Sequence, residues 1–263
     1  MPELPEVESF KRYIEKTSMH KKIENIEVNS PQQLQNIEVE DLREKLEKKT
    51  FQHAERRGKY LFLNLDNDYW LVLHFGMTGR PKYFKDDSGL AYYDRINFKF
   101  EDKSKLTFED PRKFGKIYLT ANMEDFIKQK RLGPDALGID LKTFKGLFSK
   151  RRGSSKSALM NQHVIAGIGN IYSDEILYHV GVHPKTPLYM LDDGKIENIF
   201  IIMKEVLNLA IDVQLQNKGL PNSYIIPHRK KKGKCPNSDT ELKTIKISGR
   251  TSYYCPDCQK ELF

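Results

Sequence analysis

The first eight residues, Met1-Pro2-Glu3-Leu4-Pro5-Glu6-Val7-Glu8, hold the densest chemistry in the chain. Loss of Met1 would leave Pro2 as the amino terminus, a secondary amine on a rigid ring beside a carboxylate. An α-amino group titrates near pKa ~8, so a useful fraction is unprotonated and nucleophilic at neutral pH. A secondary amine attacking an aldehydic sugar carbon can give only a cationic iminium, which withdraws electrons and acidifies the proton on the next carbon. Glu3 is close enough in sequence to donate a proton to a leaving group or ring oxygen. The same residues also read as a helix start. Pro5 suits a first turn, where its missing N–H would be unpaired anyway, and Glu6 and Glu8 suit the positive end of the helix dipole. Both readings hold together if the helix opens at Pro5 and Pro2-Glu3 precede it.

Three other stretches could do chemistry. Gln162-His163-Val164-Ile165-Ala166-Gly167-Ile168-Gly169-Asn170-Ile171-Tyr172 lies between helical segments. Its glycines allow a tight turn, and Asn170 precedes a helix whose free N–H groups can bind a phosphate; a tight turn in a core explains the pattern as well. Arg56-Arg57-Gly58-Lys59-Tyr60 sets three cations before a strand, either as a solvated edge or with a lysine aimed at a phosphate or the reacting sugar. All three cysteines, Cys235, Cys255 and Cys258, lie in the last thirty residues. An odd number clustered in a basic tail argues for metal ligation over a disulfide framework, and for a reducing compartment.

The elements that must position these groups follow from length and periodicity. A chain of 263 residues suits two domains, and a net charge of +8 suits a polyanionic partner as well as a solvated basic surface. No apolar run approaches the ~18–20 residues that cross a bilayer, and no signal sequence opens the chain, so no membrane partner is expected. An opening helix over 5–18 is followed by β-rich runs over 22–28, 59–65, 69–75, 93–101 and 105–109, which imply a sandwich or barrel. Helical periodicity takes over from about Met123, with candidates over 124–130, 141–150, 157–164, 173–180 and 195–213. The last carries an apolar face of Ile196, Ile199, Ile202, Val206, Leu209 and Val213. From His228 the tail returns to short β-like runs around the cysteines, with a basic run at Arg229-Lys230-Lys231-Lys232.

Seven motifs then make a resemblance specific. The opening octapeptide, Arg57-Gly58-Lys59-Tyr60-Leu61, His74-Phe75-Gly76-Met77, Asp110-Pro111-Arg112-Lys113-Phe114-Gly115, Leu132-Gly133-Pro134-Asp135, Gly167-Ile168-Gly169-Asn170-Ile171-Tyr172 and Gly249-Arg250 before Cys255 follow one another along the chain. In that order they resemble the formamidopyrimidine-DNA glycosylases, the Fpg branch of the Fpg/Nei base-excision repair enzymes. The resemblance implies an α+β protein with DNA between two lobes. An N-terminal catalytic β-sandwich (1–122) precedes a helix–two-turn–helix domain (123–227) and a zinc-finger-like β-hairpin (228–263). It implies Pro2 as nucleophile at C1′, Glu3 as acid/base, Glu6 as support, Lys59 for the phosphate and β-elimination, and Arg250 for δ-elimination. Asn170, Lys156 and Arg151 match DNA or site contacts. Met77, Arg112 and Phe114 match the residues that fill the gap left by an extruded base, a task that suits a thioether, a guanidinium and an aromatic ring.

Two departures from the family pattern bear on function. The family finger has two Cys-x2-Cys pairs that ligate zinc; Cys235, Cys255 and Cys258 match, but Ser238 stands at the second position. A serine hydroxyl is a poor zinc ligand, which leaves Ser238, the adjacent Asp239 or a swung-in His228 as fourth partner. Zinc is still expected. The loop that closes over an oxidised purine is also short here, only Gln216–Tyr224 before Ile225, and Tyr93-Asp94-Arg95 replaces a histidine-containing DNA contact. The expected activity is a bifunctional glycosylase and abasic-site lyase on damaged double-stranded DNA, with 8-oxoguanine a poor substrate. The protein is expected to act as a monomer in the cytoplasm at the nucleoid, or in the nucleus of a eukaryote. A non-catalytic damage binder on the same scaffold is the alternative, disfavoured because it needs neither Pro2 nor Glu3; a zinc-ribbon RNA-binding protein fits the charge and finger but not the first-half motifs.

Overall fold

The computed structural model describes residues 1–86, 89, 92–149 and 151–261, and the chain divides into two units, Met1–Arg131 and Leu132–Phe263. Lys150, the expected end of one helix, and the last two residues of the expected hairpin segment lie outside the described residues.

The first unit opens with α1 (Leu4–Ser18), which buries Leu4, Val7 and Ile14 at helical spacing. Two antiparallel four-stranded sheets follow. One pairs β1 (Ile23–Val28), β6 (Asp94–Phe100), β7 (Lys105–Glu109) and β5 (Arg80–Phe84) in that order. The other orders β2 (Phe51–Arg57), β3 (Tyr60–Leu65), β4 (Trp70–His74) and β8 (Lys116–Thr120). Alternate residues of both sheets meet in one core that includes Ile26, Phe51, Leu61, Leu73, Phe98, Leu106 and Ile117, as two sheets with one apolar face each require. A short helix α2 (Val39–Leu46) buries Leu42 and Leu46 into the same core. The unit closes with α3 (Met123–Gln129), capped by the Asn122 side chain accepting from the Glu124 and Asp125 N–H groups. Its Phe126 packs edge-on against Phe62 and Tyr118 at 5.5 and 5.2 Å.

The second unit is helical and ends in a hairpin. It contains α4 (Leu141–Phe148), α5 (Ser155–Met160), α6 (Asn170–Val180) and α7 (Asp193–Leu215). The hairpin is β9 (Lys243–Ile247) with β10 (Arg250–Tyr254). Two expectations change in detail. The helix expected over 157–164 starts earlier, because the Ser154 hydroxyl caps it at the Ser157 N–H, and ends at Met160. There the Gln162 amide takes over, donating to the Met160 and Ile168 carbonyls and accepting from the Gly167 N–H, so its side chain shapes the glycine turn. The buried stripe of α7 runs through Ile196, Ile199, Met203, Val206, Leu207, Ala210 and Ile211. Ile202, Leu209 and Val213 are only half-buried.

α6 is the anchor of this unit, with eight of its residues buried, Asp174 and Glu175 among them. The Asp174 carboxylate accepts from the Lys156 ammonium, from Ser252 Oγ at 2.5 Å, from Arg229 Nη2 at 2.8 Å and from the Tyr253 N–H at 3.0 Å. Glu175 accepts the Ile225 and Ile226 N–H groups at 3.0 and 2.8 Å. Two adjacent carboxylates thus fix the hairpin and the segment before it onto one helix. Removing a buried carboxylate strands its cations, which costs about 3–5 kcal/mol. Asp174→Ala is therefore expected to lose that much stability in urea unfolding, and Asp174→Asn less; a loss under 1 kcal/mol for Asp174→Ala would show that the cluster does not hold the hairpin.

Candidate active site and nucleic-acid interface

The helix opens at Leu4 rather than Pro5, and Glu3 is its N-cap in an extended conformation. Glu3 and Glu6 form a reciprocal capping box, with the Glu6 carboxylate accepting the Glu3 N–H at 2.7 Å, a device that satisfies otherwise orphaned helix donors. Glu3 is buried to 1% exposure, Pro2 is half-buried and Met1 exposed. Residue 3 is therefore held rigidly one bond beyond the proposed nucleophile. Glu8, one turn on, accepts from Arg56 Nε at 2.9 Å and Arg12 Nε at 3.1 Å. Burial would raise its carboxyl, but the two guanidiniums, Arg56 above all, hold it below the usual carboxylate range.

Lys59 sits in the two-residue turn between β2 and β3, where Gly58 takes a φ of +58°, a conformation glycine adopts without steric cost. The lysine is 8% exposed. Nearby His74 donates nothing to the Gly76 backbone; its Nδ1 accepts the Gly76 N–H at 3.3 Å. Burial first, then the charges of Lys59, Lys116 and Lys130, lower the His74 pKa to about 4, so the imidazole is neutral at neutral pH.

Met77, Arg112 and Phe114 stand out from two adjoining loops, with Met77 and Phe114 42% and 49% exposed. Single exposed apolar side chains are ordinary on a protein surface, but these two stand with an arginine on loops that touch at Gly76 and Phe114, a grouping of the kind that marks contact sites. The Arg112 guanidinium lies 4.8 Å from the Phe114 ring centre. What joins the loops is Asp110, fully buried. Its Oδ1 accepts Thr78 Oγ1 at 2.6 Å and the Arg112 N–H at 3.3 Å; its Oδ2 accepts the Gly115 N–H at 2.7 Å and Gln33 Nε2 at 3.0 Å. Gly76, at φ +57°, passes so close that an added Cβ would lie 2.4 Å from the Phe114 carbonyl carbon.

In the second unit Asn170 is the first residue of α6, and its Nδ2 donates to the Thr251 carbonyl at 3.1 Å. Its Oδ1 is buried without a hydrogen-bond partner. Lys156, expected as a contact to the site or a phosphate, is fully buried, with its ammonium on Asp174 and on the Asn170 carbonyl at 3.2 Å. An ammonium so enclosed positions Asn170 and is not itself open to a phosphate. Arg250 follows a two-residue hairpin turn, Ser248-Gly249, with both φ values positive (49° and 75°), the geometry that matches the twist of the flanking strands. Arg151, Arg152, Ser157, Asn161 and Arg250 line a cavity of about 420 Å³. Three guanidiniums on one concavity suit a phosphate.

The three cysteines converge, their sulfurs all within 4.8 Å of one another, as a metal site needs. Ser238 Oγ lies 3.3 Å from Cys255 Sγ, in the fourth corner. Asp239 is turned away to Lys234 Nζ at 2.6 Å, and His228 Nε2 is engaged with the Asn222 carbonyl at 2.9 Å. Burial alone would raise the Cys235 thiol, but hydrogen bonds with Ser238 and Tyr178 draw it down to about 6. Burial and the neighbouring sulfurs push Cys258 up to about 12.

Comparison with known proteins agrees with this inventory. Residues 1–117 match the formamidopyrimidine-DNA glycosylase N-terminal domain, and residues 132–220 match the formamidopyrimidine-DNA glycosylase H2TH domain. The formamidopyrimidine-DNA glycosylase of Streptococcus mutans is 33% identical over 275 residues, covering 99% of this chain and 100% of that protein. This chain belongs to the formamidopyrimidine-DNA glycosylase family. Its relative from Mycoplasma genitalium is 32% identical over 278 residues, covering 99% and 96% of the two chains. Among solved structures, Lactococcus lactis Fpg in complex with DNA containing an abasic site is similar at a TM-score of 0.89 and 30% identity, covering 98% of this chain and 100% of that one. The same enzyme with Fapy-dG-containing DNA gives the same figures.

Within this glycosylase family fold, reading the sequence missed Asp110, Gln33 and Asp174 as organisers. Asp110 sat inside a quoted motif, but nothing in its spacing tells a buried hub from a solvated turn residue. Gly76 yields the sharpest test. A side chain there costs about 1–2 kcal/mol for the left-handed backbone alone, and it must also push Phe114 back. Gly76→Ala is expected to slow strand cleavage at an abasic site in duplex DNA by about tenfold for each 1.4 kcal/mol lost, while single-stranded abasic DNA, which needs no gap filled, is cleaved normally. Equal losses on both substrates would remove the link between Gly76 and the gap-filling role expected of Met77 and Phe114.

Proposed function

We propose that this chain, a DNA glycosylase and abasic-site lyase of base-excision repair, acts through an iminium formed on Pro2 after Met1 is removed. The Pro2 nitrogen attacks C1′ of the damaged nucleotide and the base departs, with Glu3 protonating the leaving group or the ring oxygen. The resulting iminium acidifies the C2′ proton. Its loss expels the 3′ phosphate, and a second elimination expels the 5′ phosphate and frees the sugar. Lys59 serves the phosphate and the first elimination, Arg250 the second, and Glu6 holds Glu3 in place. The observation that carries this reading is the buried Glu3 at the helix cap, fixed by Glu6 and adjacent to the amine it must assist. Met77, Arg112 and Phe114 fill the gap in the stack, and Arg151 and Asn170 hold the backbone.

The substrate in this reading is damaged double-stranded DNA; the Lactococcus lactis complexes hold DNA with an abasic site or with Fapy-dG. The described residues include no helix long and apolar enough to cross a membrane, and we place the protein as a monomer in the cytoplasm at the nucleoid. The second unit serves as a helix–two-turn–helix part to residue 227 and a finger from residue 228. Zinc fits the finger through Cys235, Cys255 and Cys258, with Ser238 or a water completing four ligands. When bound it cross-links the hairpin base; Arg250 is held by the hairpin itself.

Borohydride trapping on abasic duplex tests the chemistry. The processed chain is expected to become covalently linked to DNA, and an uncleaved N-terminal tag to abolish linkage while binding survives, because an amide nitrogen is no nucleophile. Strand cleavage by the tagged protein would overturn the amine mechanism. With the loop over 216–224 short, 8-oxoguanine should be excised more slowly than ring-opened purines; the reverse order would sink the loop reading. For the finger, Ser238→Cys should raise zinc retained per chain after dialysis against a chelator with little change in turnover. Equal retention by both forms would show that the fourth position does not limit the metal.

A further inference from the structure

The sheet β2-β3-β4-β8 has a second face, turned from the core. Tyr60, His74 and Lys116 are register partners on three adjacent strands, so their side chains share that face. The next row inward on it is Phe62, Val72 and Tyr118, roofed by Phe126 of α3. Lys130, the C-cap of α3, brings its ammonium 4.3 Å from the Tyr118 ring centre and 5.4 Å from that of Phe126. Among the described residues neither Lys116 nor Lys130 meets a carboxylate, although most lysines of this unit with a fixed partner meet one, as Lys21, Lys22 and Lys45 do.

Lysines held together without an acid repel one another. Burial and then the charge of Lys116 lower the Lys130 pKa, and the same two cations with Lys59 bear on His74. A protein tolerates such a cluster at a small cost in stability; an anion that binds there relieves it. The aromatic rings beside it hold the Lys130 ammonium, and the sheet register fixes the strand position from which the exposed Lys116 side chain projects.

We propose that Lys116 and Lys130 form a binding site for one backbone phosphate of the DNA strand, separate from the positions given to Lys59 and to the arginines of the second unit. The proposal rests on the DNA-binding reading above, but not on the lyase chemistry. The occupant is a phosphodiester because the patch offers two cations and a neutral imidazole, and the rings beside them, Tyr118 and Phe126, are packed against one another. Neutralising one more phosphate releases one more counterion, so the site contributes affinity without sequence preference.

The test uses the full chain and a duplex carrying a tetrahydrofuran abasic analogue. Lys116→Gln/Lys130→Gln is expected to reduce the slope of log K against log salt by about 0.9, the value for one phosphate contact. Lys142→Gln, on the exposed side of α4 in the second unit, serves as the general-charge control and should leave the slope unchanged. Single methylphosphonate substitutions along both strands then locate the contact. One position should weaken the wild type and leave the double variant unaffected, a result that loss of fold would not give. The proposal is overturned if the double variant matches the control, or if every methylphosphonate weakens wild type and variant alike. A wild type that binds with the full slope but is not trapped by borohydride on a second duplex carrying a true abasic site, which has the C1′ aldehyde that the tetrahydrofuran analogue lacks, would keep the phosphate site and remove the lyase reading. A wild type that does not bind the duplex would remove both.

Discussion

A buried negative charge that cannot leave is the constraint on which the second unit depends. Asp174 has no solvent to stabilise it, so it must be surrounded by donors, and these come from three places in the chain: Lys156, Arg229, and the adjacent Ser252 hydroxyl and Tyr253 backbone. An isolated buried carboxylate would cost several kcal/mol, and a paired one constrains geometry more than it adds stability. The result is that the first half of α6, the start of α5 and the hairpin strand β10 have one mutual arrangement. Asn170 and Arg250, the groups proposed to hold the DNA backbone, are each within a few residues of that lock.

The first unit solves the same problem with Asp110. There the donors are Thr78, Gln33 and the N–H groups of Arg112 and Gly115. The carboxylate organises loops from the inside while their tips, Met77, Arg112 and Phe114, remain open. Exposed apolar side chains have no packing of their own to hold them, so their aim must come from backbone fixed beneath. Gly76 tightens this further, since only a residue without Cβ lets the two loops touch. Rigid loops with open tips are what a wedge requires, because a tip that had to be ordered on binding would lose affinity to that ordering.

How legible these features were depended on whether they are written in residue type or in contact. The residues proposed as the catalytic pair, the cysteines and the residues proposed as the wedge are defined by chemical type, so their candidacy could be read directly. Central strands β3 and β4 showed as apolar runs because both of their faces are covered, while β7 alternates apolar and polar residues. The strands that escaped reading, β2, β5 and β8, are all sheet edges. Phe51–Arg57 is mostly polar, Arg80–Phe84 contains Pro81, and Lys116–Thr120 opens on a lysine, which are the ways proteins keep edges from pairing with strangers. Lys156 was legible as a cation but its burial was not, since the partner that encloses it lies 18 residues away on another helix. The α7 stripe went wrong for a related reason: periodicity finds an apolar face, but which edge of it is deepest is decided by α6 and α4.

The finger brings these threads together. A metal usually substitutes for the core that a small hairpin lacks. This hairpin already has other attachments: Ser252 and Tyr253 on Asp174, Tyr178 OH against Cys235 at 3.4 Å, and Gln259 donating to the Val182 carbonyl at 2.8 Å. Its turn is set locally by Ser248-Gly249 and needs no ion. Replacing a thiolate by Ser238 weakens one corner of the metal site but removes none of these bonds. The arginine at the tip is therefore positioned chiefly by the buried carboxylate and the turn, and a metal held by the cysteines would reinforce a base that the protein has already fixed. That distribution of constraint gives a physical reason why a serine can stand where the family pattern has a cysteine without displacing Arg250.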